Sequence, residues 1–141
     1  MRPALQARNS TAEHLLFLPG VFNETLALLF DAHHYFQSRG ADDHRTLDSY
    51  YQKAYTTEMS RITIRLTSVM AWLMVRRAVS AGKIDEEKAS RDYRLDGGDI
   101  CLAEPDAMID MLPYYFWQLS ERSQELYERV MRLDGMVYGT R

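Results

Sequence analysis

The longest regular pattern in the chain lies near its end. Leu112, Phe116, Leu119, Ser123, Leu126, Val130, Leu133 and Val137 alternate at spacings of four and three. That rhythm keeps them on one stripe of an α-helix and suits neighbours crossing at about 20°. Pro113 fits the first turn, where its missing N–H leaves no bond unmade. Gly135 is expected to end the helix. A longer block covers roughly residues 45–82. Tyr55, Met59, Ile62, Leu66, Val69 and Leu73 form its stripe, and Met70 and Met74 widen it. So wide a stripe suits a helix with neighbours on two sides. Gly82 closes the block. The earliest block, "PGVFNETLALLFDAHHYFQSRG", repeats Phe22, Leu26, Leu29, His33 and Phe36 at helical spacing. Gly40 fits a helix-ending glycine, and "ADDHRT" a short polar connection.

Between the second and third blocks the pattern lapses. "IDEEKASRD" reads as one or two helical turns with Asp85 as N-cap. Residues 92–110 carry a "DGG" turn signal and many acids, which reads as a solvated connection longer than most in compact domains. The pattern therefore predicts an all-α protein: an antiparallel three-helix bundle with a long central second helix. Residues 1–141 form one domain in this reading, with about 1–12 and 136–141 as flexible ends.

Composition narrows the class. With 141 residues the chain can bury about two-thirds of its unfolded surface in one core. Seven glycines and four prolines give little turn punctuation, which favours helices over many short strands. The apolar run "VMAWLMV" falls far short of the ~18 residues that span a bilayer. The N-terminus lacks the shape of a signal peptide. The lone Cys101 cannot form an internal disulfide and fits a reducing compartment. A cytoplasmic protein without a membrane segment is expected.

Charge raises a sharper question. The net charge is −3, the wrong sign overall for holding a nucleic-acid backbone. Yet residues 45–77 carry Arg45, Lys53, Arg61, Arg65, Arg76 and Arg77 against only Asp48 and Glu58. This basic helix reads either as a solvated face paired with Glu121, Glu125 and Glu128, or as a docking surface for an acidic partner. A helix-turn-helix needs a short second helix and a tight turn, which the long block does not offer. A helical DNA-binding or other transcriptional regulator is the alternative reading.

Candidate chemistry adds little. His33 and His34 point about 100° apart on a helix and cannot share one metal ion. His33 lies on the core stripe and reads as a packed histidine. The acids of 92–110 do not match a calcium loop. Phosphate-loop, dinucleotide and nucleophile-elbow motifs are absent from the sequence. Acids around Cys101 would raise its pKa. No enzyme activity, metal or cofactor is expected. The row "PYYFWQL" holds more aromatics than one helix face can bury, so Tyr115 and Trp117 become candidates for partner contact. Met70, Met74, Met108, Met111 and Met131 add adaptable apolar surface.

The stretches "MSRITIRLTSVMAWLMVRRAVSAGKI" and "ERSQELYERVMRLDGMV" resemble an alphaproteobacterial family of small helical proteins, that of the regulator of CtrA degradation. The resemblance spans roughly residues 20–137. Arg61, Arg65, Trp72, Arg77, Ala78 and Val79 carry it in the second helix; Glu121, Arg122, Ser123, Arg129, Val130, Arg132, Leu133 and Asp134 carry it in the third. It implies a three-helix bundle that forms a homodimer. It also implies a noncatalytic adaptor that helps the ClpXP protease take up cell-cycle regulators. Partners would then be ClpXP components, response regulators or client substrates. The family's adaptor is expected to carry a flexible C-terminal extension, where here only Met136–Arg141 follow the last helix. The expected partner-binding residues are Arg61, Arg65, Arg76, Arg77, Tyr115, Trp117, Arg129, Arg132 and Asp134, acting by charge-assisted docking.

Overall fold

The computed structural model of the protein describes residues 18–104 and 111–139. Among these there are helices and no strand. Helix α1 (Leu18–Tyr35) runs through a π-helical turn (Phe36–Gly40) into α2 (Ala41–Arg45). Helix α3 (Ser49–Ser80) is the long central element, followed by the short α4 (Glu86–Asp92) and α5 (Gly98–Cys101), and by α6 (Tyr114–Tyr138). The all-α class and the long central helix are as expected from the pattern.

Gly40 does not end the first helix, contrary to expectation. Its φ of −58° is helical, and "ADDHR" continues the rod as α2. The glycine serves a close approach instead. The Tyr55 hydroxyl sits 3.3 Å from the Gly40 carbonyl and 3.1 Å from the Tyr35 hydroxyl, and a Cβ at residue 40 would come within 3.4 Å of it. Tyr35 in turn donates to Asp43 at 2.6 Å. The wider π turn, which carries an extra residue per turn, brings Asp43 round to that hydroxyl.

The buried face of α1 is also not the expected one. Thr25, Leu28, Ala32 and Tyr35 point inward, while Leu26 and His33 are exposed and Phe22, Leu29 and Phe36 are half-buried. The true stripe mixes the large Leu28 and Tyr35 with the small Thr25 and Ala32. Thr25 can join it because its hydroxyl donates to the Val21 carbonyl at 2.7 Å. His33 is therefore not a packed core histidine.

On α3 the stripe holds. Tyr55, Ile62, Leu66, Val69 and Leu73 are buried, with Met59 packed beside them. The helix stops as its sequence suggests. Gly82 has φ +75°, Lys83 N–H reaches the Ala78 carbonyl at 2.9 Å and Gly82 N–H the Val79 carbonyl at 3.0 Å, a Schellman closure. Asp85 caps α4 by accepting from the Lys88 amide at 2.7 Å. Of the expected heptad residues, Leu112 is buried just before α6, and Phe116, Leu119, Ser123, Leu126 and Val130 are buried on it, while Leu133 and Val137 are half-buried. The helix passes through Gly135 and ends at Tyr138, so residues 136–138 are helical rather than a loose end. Arg94 holds this last turn through Asp134 and the Gly139 carbonyl.

The three long helices share one core, but not all in antiparallel pairs. Tyr35 meets both Tyr55 and Phe116, and Asp31 meets Arg122, so α1 runs opposite to α3 and to α6. Between α3 and α6 the matched residues rise together: Tyr55 stacks on Phe116 with centroids 4.1 Å apart, Glu58 meets Ser120, and Trp72 meets Asp134. These two helices are parallel. The chain between them makes this possible by descending along α3: Glu86 lies beside Arg76, Gly97 beside Ser68 and Ile64, and the Cys101 carbonyl against Arg65. Over its described residues, 92–104, the expected solvated connection is thus a packed strap, with Leu95 and Cys101 buried in the core; its remainder, with Met108, lies outside the described residues, as does the N-terminal end about residues 1–12.

Candidate functional site

Along α3 a second row follows the apolar stripe. Tyr55, Glu58, Ile62, Arg65, Val69, Trp72 and Arg76 alternate at three and four, and all are buried. Three charged residues therefore sit where a helix hides its contact face. Arg65 lies at the crossing of α3, α6 and the strap. Its Nε donates to the Cys101 carbonyl at 2.9 Å. Its Nη1 lies 2.9 Å from Glu58, 3.3 Å from the Ser120 carbonyl and 3.2 Å from the Ser123 hydroxyl. Glu58 also accepts from the Ser120 hydroxyl at 2.7 Å and lies 3.4 Å from Arg61. A buried ion pair persists only when hydrogen bonds fill the remaining lone pairs and protons, and this one is filled. Burial pushes the nearby Cys101 thiol up, and the Arg65 charge offsets this only in part.

A second knot closes the other end. The Trp72 indole donates to Asp134 at 2.9 Å, Arg94 pairs with the same carboxylate at 2.9 Å, and the Leu95 amide reaches it at 3.3 Å. Arg76 lies beside this knot, 4.4 Å above the Tyr138 ring and 5.7 Å from Trp72. Burial draws its pKa down against the opposing pull of Glu86 and Asp134.

The expected docking residues therefore divide. Arg65, Arg76 and Asp134 are interior, each 4% exposed or less, and their charge is turned inward. They offer no surface to a partner in this chain. Arg61 is half-buried against Glu58. Arg77 is exposed and lies 4.5 Å over the Phe22 ring. Arg129 pairs with Glu24 across α6 and α1. Arg132 is exposed. Tyr115 is half-buried under Arg39, 4.7 Å from its ring, and Trp117 stacks on the exposed Tyr114. The expected pairing of α3 bases with α6 acids is not what forms: α6 lends its arginines to acids of α1, Arg122 to Asp31 and Arg129 to Glu24. Sequence reasoning took arginines on a helix as surface. The signal that could have corrected it was the alternation of Glu58, Arg65 and Arg76 in step with Ile62, Val69 and Trp72.

What remains on the surface is polarised. Tyr50, Tyr114, Tyr115 and Trp117 gather at the end where α1 finishes and α3 and α6 begin. At the opposite end two hollows open. A cleft of about 320 Å³ lies between α1 and α3, lined by Leu18, Phe22, Leu73, Arg76, Arg77 and Ser80 among others. A wider groove of about 590 Å³ runs along α6 beside the strap, with Tyr127, Met131, Arg132 and Met136 in its walls. Met131 and Met136 are exposed there, adaptable apolar side chains beside a cation. Among the described residues no three His, Cys, Asp or Glu side chains group to hold a metal ion, and no helix is long and apolar enough to cross a membrane.

No curated protein matches the chain. Among solved structures, the chain is similar to RcdA from Caulobacter crescentus CB15, with 30% identity over 89% of this chain and 93% of that one, and a TM-score of 0.72. A family model described as protein of unknown function (DUF1465) matches residues 11–141. A match over nearly the whole chain leads to one conclusion: the chain belongs to the DUF1465 family.

Proposed function

We propose that the protein is a noncatalytic adaptor that presents helix surfaces to other proteins and helps bring regulators to the ClpXP protease. The similarity to RcdA over nearly the whole of both chains carries this reading. The groove along α6 supports it from this chain's own residues. Met131, Arg132 and Met136 form an apolar wall with an exposed cation, the composition of a surface that grips an acidic, amphipathic segment. Arg77 adds a second exposed cation at the same end of the bundle. The adaptor works as a homodimer in this reading, through the outward face of α1, where Phe30 is 79% and Leu26 45% exposed one turn apart.

The test is reconstituted proteolysis. Purified ClpXP with a response-regulator substrate should degrade it faster when this chain is added. Affinity capture should recover ClpX or the substrate on the immobilised chain. Arg132→Glu and Arg77→Glu should weaken capture severalfold, chiefly by slowing association, because exposed rim charges act on encounter. An unchanged degradation rate together with empty capture refutes the adaptor reading. Intact capture by both variants clears the arginine end of the role.

A further inference from the structure

Gly98, Gly135 and Gly139, three of the chain's seven glycines, line the groove along α6. Gly139 has φ +88°, a conformation that calls for glycine. Gly98 and Gly135 lie outside the left-handed region. A Cβ on Gly98 would meet only the Tyr127 hydroxyl, at an ordinary 3.7 Å, and one on Gly135 would meet nothing within 4 Å. Gly135 also sits inside a helix, where glycine is less stable than alanine. Neither backbone conformation nor packing within the chain therefore asks for glycine at 98 or 135. A groove that must stay open does, because both residues line it and neither fills it with a side chain.

The groove opens to solvent along α6. Met131 and Met136 are 40% and 59% exposed, Arg132 is exposed and Gly135 is half-buried. Residues 131 and 135, and 132 and 136, stand four apart, so the four form one strip of the helix surface. Leu95 and Tyr127 complete an apolar lining, and the Tyr127 hydroxyl is fixed by its bond to the Asp96 carbonyl at 2.7 Å. Charge selects the occupant. Asp134 is the acid in the lining, and it is taken up by Trp72, Arg94 and the Leu95 amide. Arg132 pairs with no acid among the described residues. The groove thus keeps an uncompensated positive charge in a protein of net charge −3, which suits an acidic occupant. Among the described residues no strand offers an edge to an extended segment. The occupant must satisfy its own backbone hydrogen bonds, as a helix does.

We propose that this groove seats a helix of a partner protein, acidic on one side and apolar on the other, with a large apolar side chain set at Gly98 and Gly135 and a carboxylate at Arg132. The two glycines let that side chain and its backbone come close, and the flexible Met131 and Met136 close around it. The proposal rests on the adaptor reading only in taking the groove as a surface that faces partners. It adds the form that the partner's segment takes.

Fluorescence anisotropy with a labelled peptide tests it. The probe is an amphipathic helical peptide of about 18 residues, with Leu and Phe on one face and Glu on the other. Two companion peptides carry Lys in place of Glu, or a central proline that breaks the helix. The acidic peptide should bind the full chain saturably. It should shift the methyl signals of Met131 and Met136 but not that of Met74, which is exposed on α3. Both companions should bind at least about tenfold more weakly. Gly135→Leu plugs the groove and should weaken the acidic peptide at least about tenfold. Its melting midpoint should be no lower than that of the wild type, since leucine favours the helix. Gly98→Leu plugs the groove from the strap and serves if Gly135→Leu fails to fold. No saturable binding, equal binding of either companion, shifts at Met74 in place of Met131 and Met136, or full binding by a folded plugged variant overturns the proposal. So does a dimer mass in light scattering that falls to one chain in Gly135→Leu, because the occupant is then a second copy. The titration contains no protease, so it can fail while degradation is still accelerated, and succeed where it is not.

Discussion

Replacing Arg65 by Met keeps an unbranched stem in the interior but removes the guanidinium. Glu58 then stays buried beside Ser120 with only the more distant, half-buried Arg61 as countercharge. Breaking a buried pair from one side costs about 3–5 kcal/mol, and urea unfolding of Arg65→Met should register a loss of that size. The double change Glu58→Leu with Arg65→Met removes both charges and should recover most of it; a double variant no better than the single would mean the pair itself supplies net stability. Tyr35, Tyr55, Tyr127 and Cys101 make a second prediction. Burial is the leading cause that raises each of their pKa values. The folded state therefore holds these protons more tightly than the unfolded state. Their contribution to stability is complete below about pH 8 and declines as pH rises past the unfolded values near 9 to 10. The urea midpoint should be insensitive to these groups near neutrality and fall in alkali. Tyrosinate absorbance from the buried rings should appear together with loss of helix and not before it.

At the scale of elements, two glycines that look alike in the sequence should behave oppositely. Gly82 has φ +75° and open space around it, so Gly82→Ala strains only the backbone and should cost about 1 kcal/mol. Gly135 lies inside α6 and has nothing within 4 Å of the point where a Cβ would stand, so Gly135→Ala should stabilise by roughly 1 kcal/mol. Thermal melts of the two variants, read by circular dichroism, check both signs. The contrast also marks what the sequence could tell. Stops and stripes were legible where one local rule acted alone: the Schellman glycine after α3, the Asp85 cap, the strict alternation on α6. Gly135 misled because the grip of Arg94 on Asp134 and Gly139, made across some forty residues, carries the helix past it. Helix α1 misled for a related reason. It bears large apolar residues on more than one face, and which face is buried depends on the neighbouring helices, which the local pattern does not contain. The parallel course of α3 and α6 was hidden likewise, because helical periodicity says nothing of direction and the strap's acidic composition disguised its packing.

At the scale of the whole molecule, the exposed pairs Asp31–Arg122 and Glu24–Arg129 stitch α1 to α6 at the surface. Each is worth under about 1 kcal/mol and is screened by salt, so molar sodium chloride should leave the unfolding midpoint nearly unchanged. A large fall would mean these pairs hold the bundle more than the core does. Phe30→Glu places a charge on the proposed dimer face and should reduce the mass in light scattering to that of one chain without loss of helix. A dimer that survives it must use another face. The Arg65 hub bears on the order in which the chain assembles. Its partners come from residue 58, from residue 101 and from residues 120–123. During synthesis the first two long helices leave the ribosome with Glu58 and Arg65 still wetted, for the atoms that will replace their water have not yet been made. A hairpin of those two helices has nothing dry to offer them. The protein can finish its interior only once the final helix arrives, and a chain cut short before it should remain a loose, water-filled pair of rods.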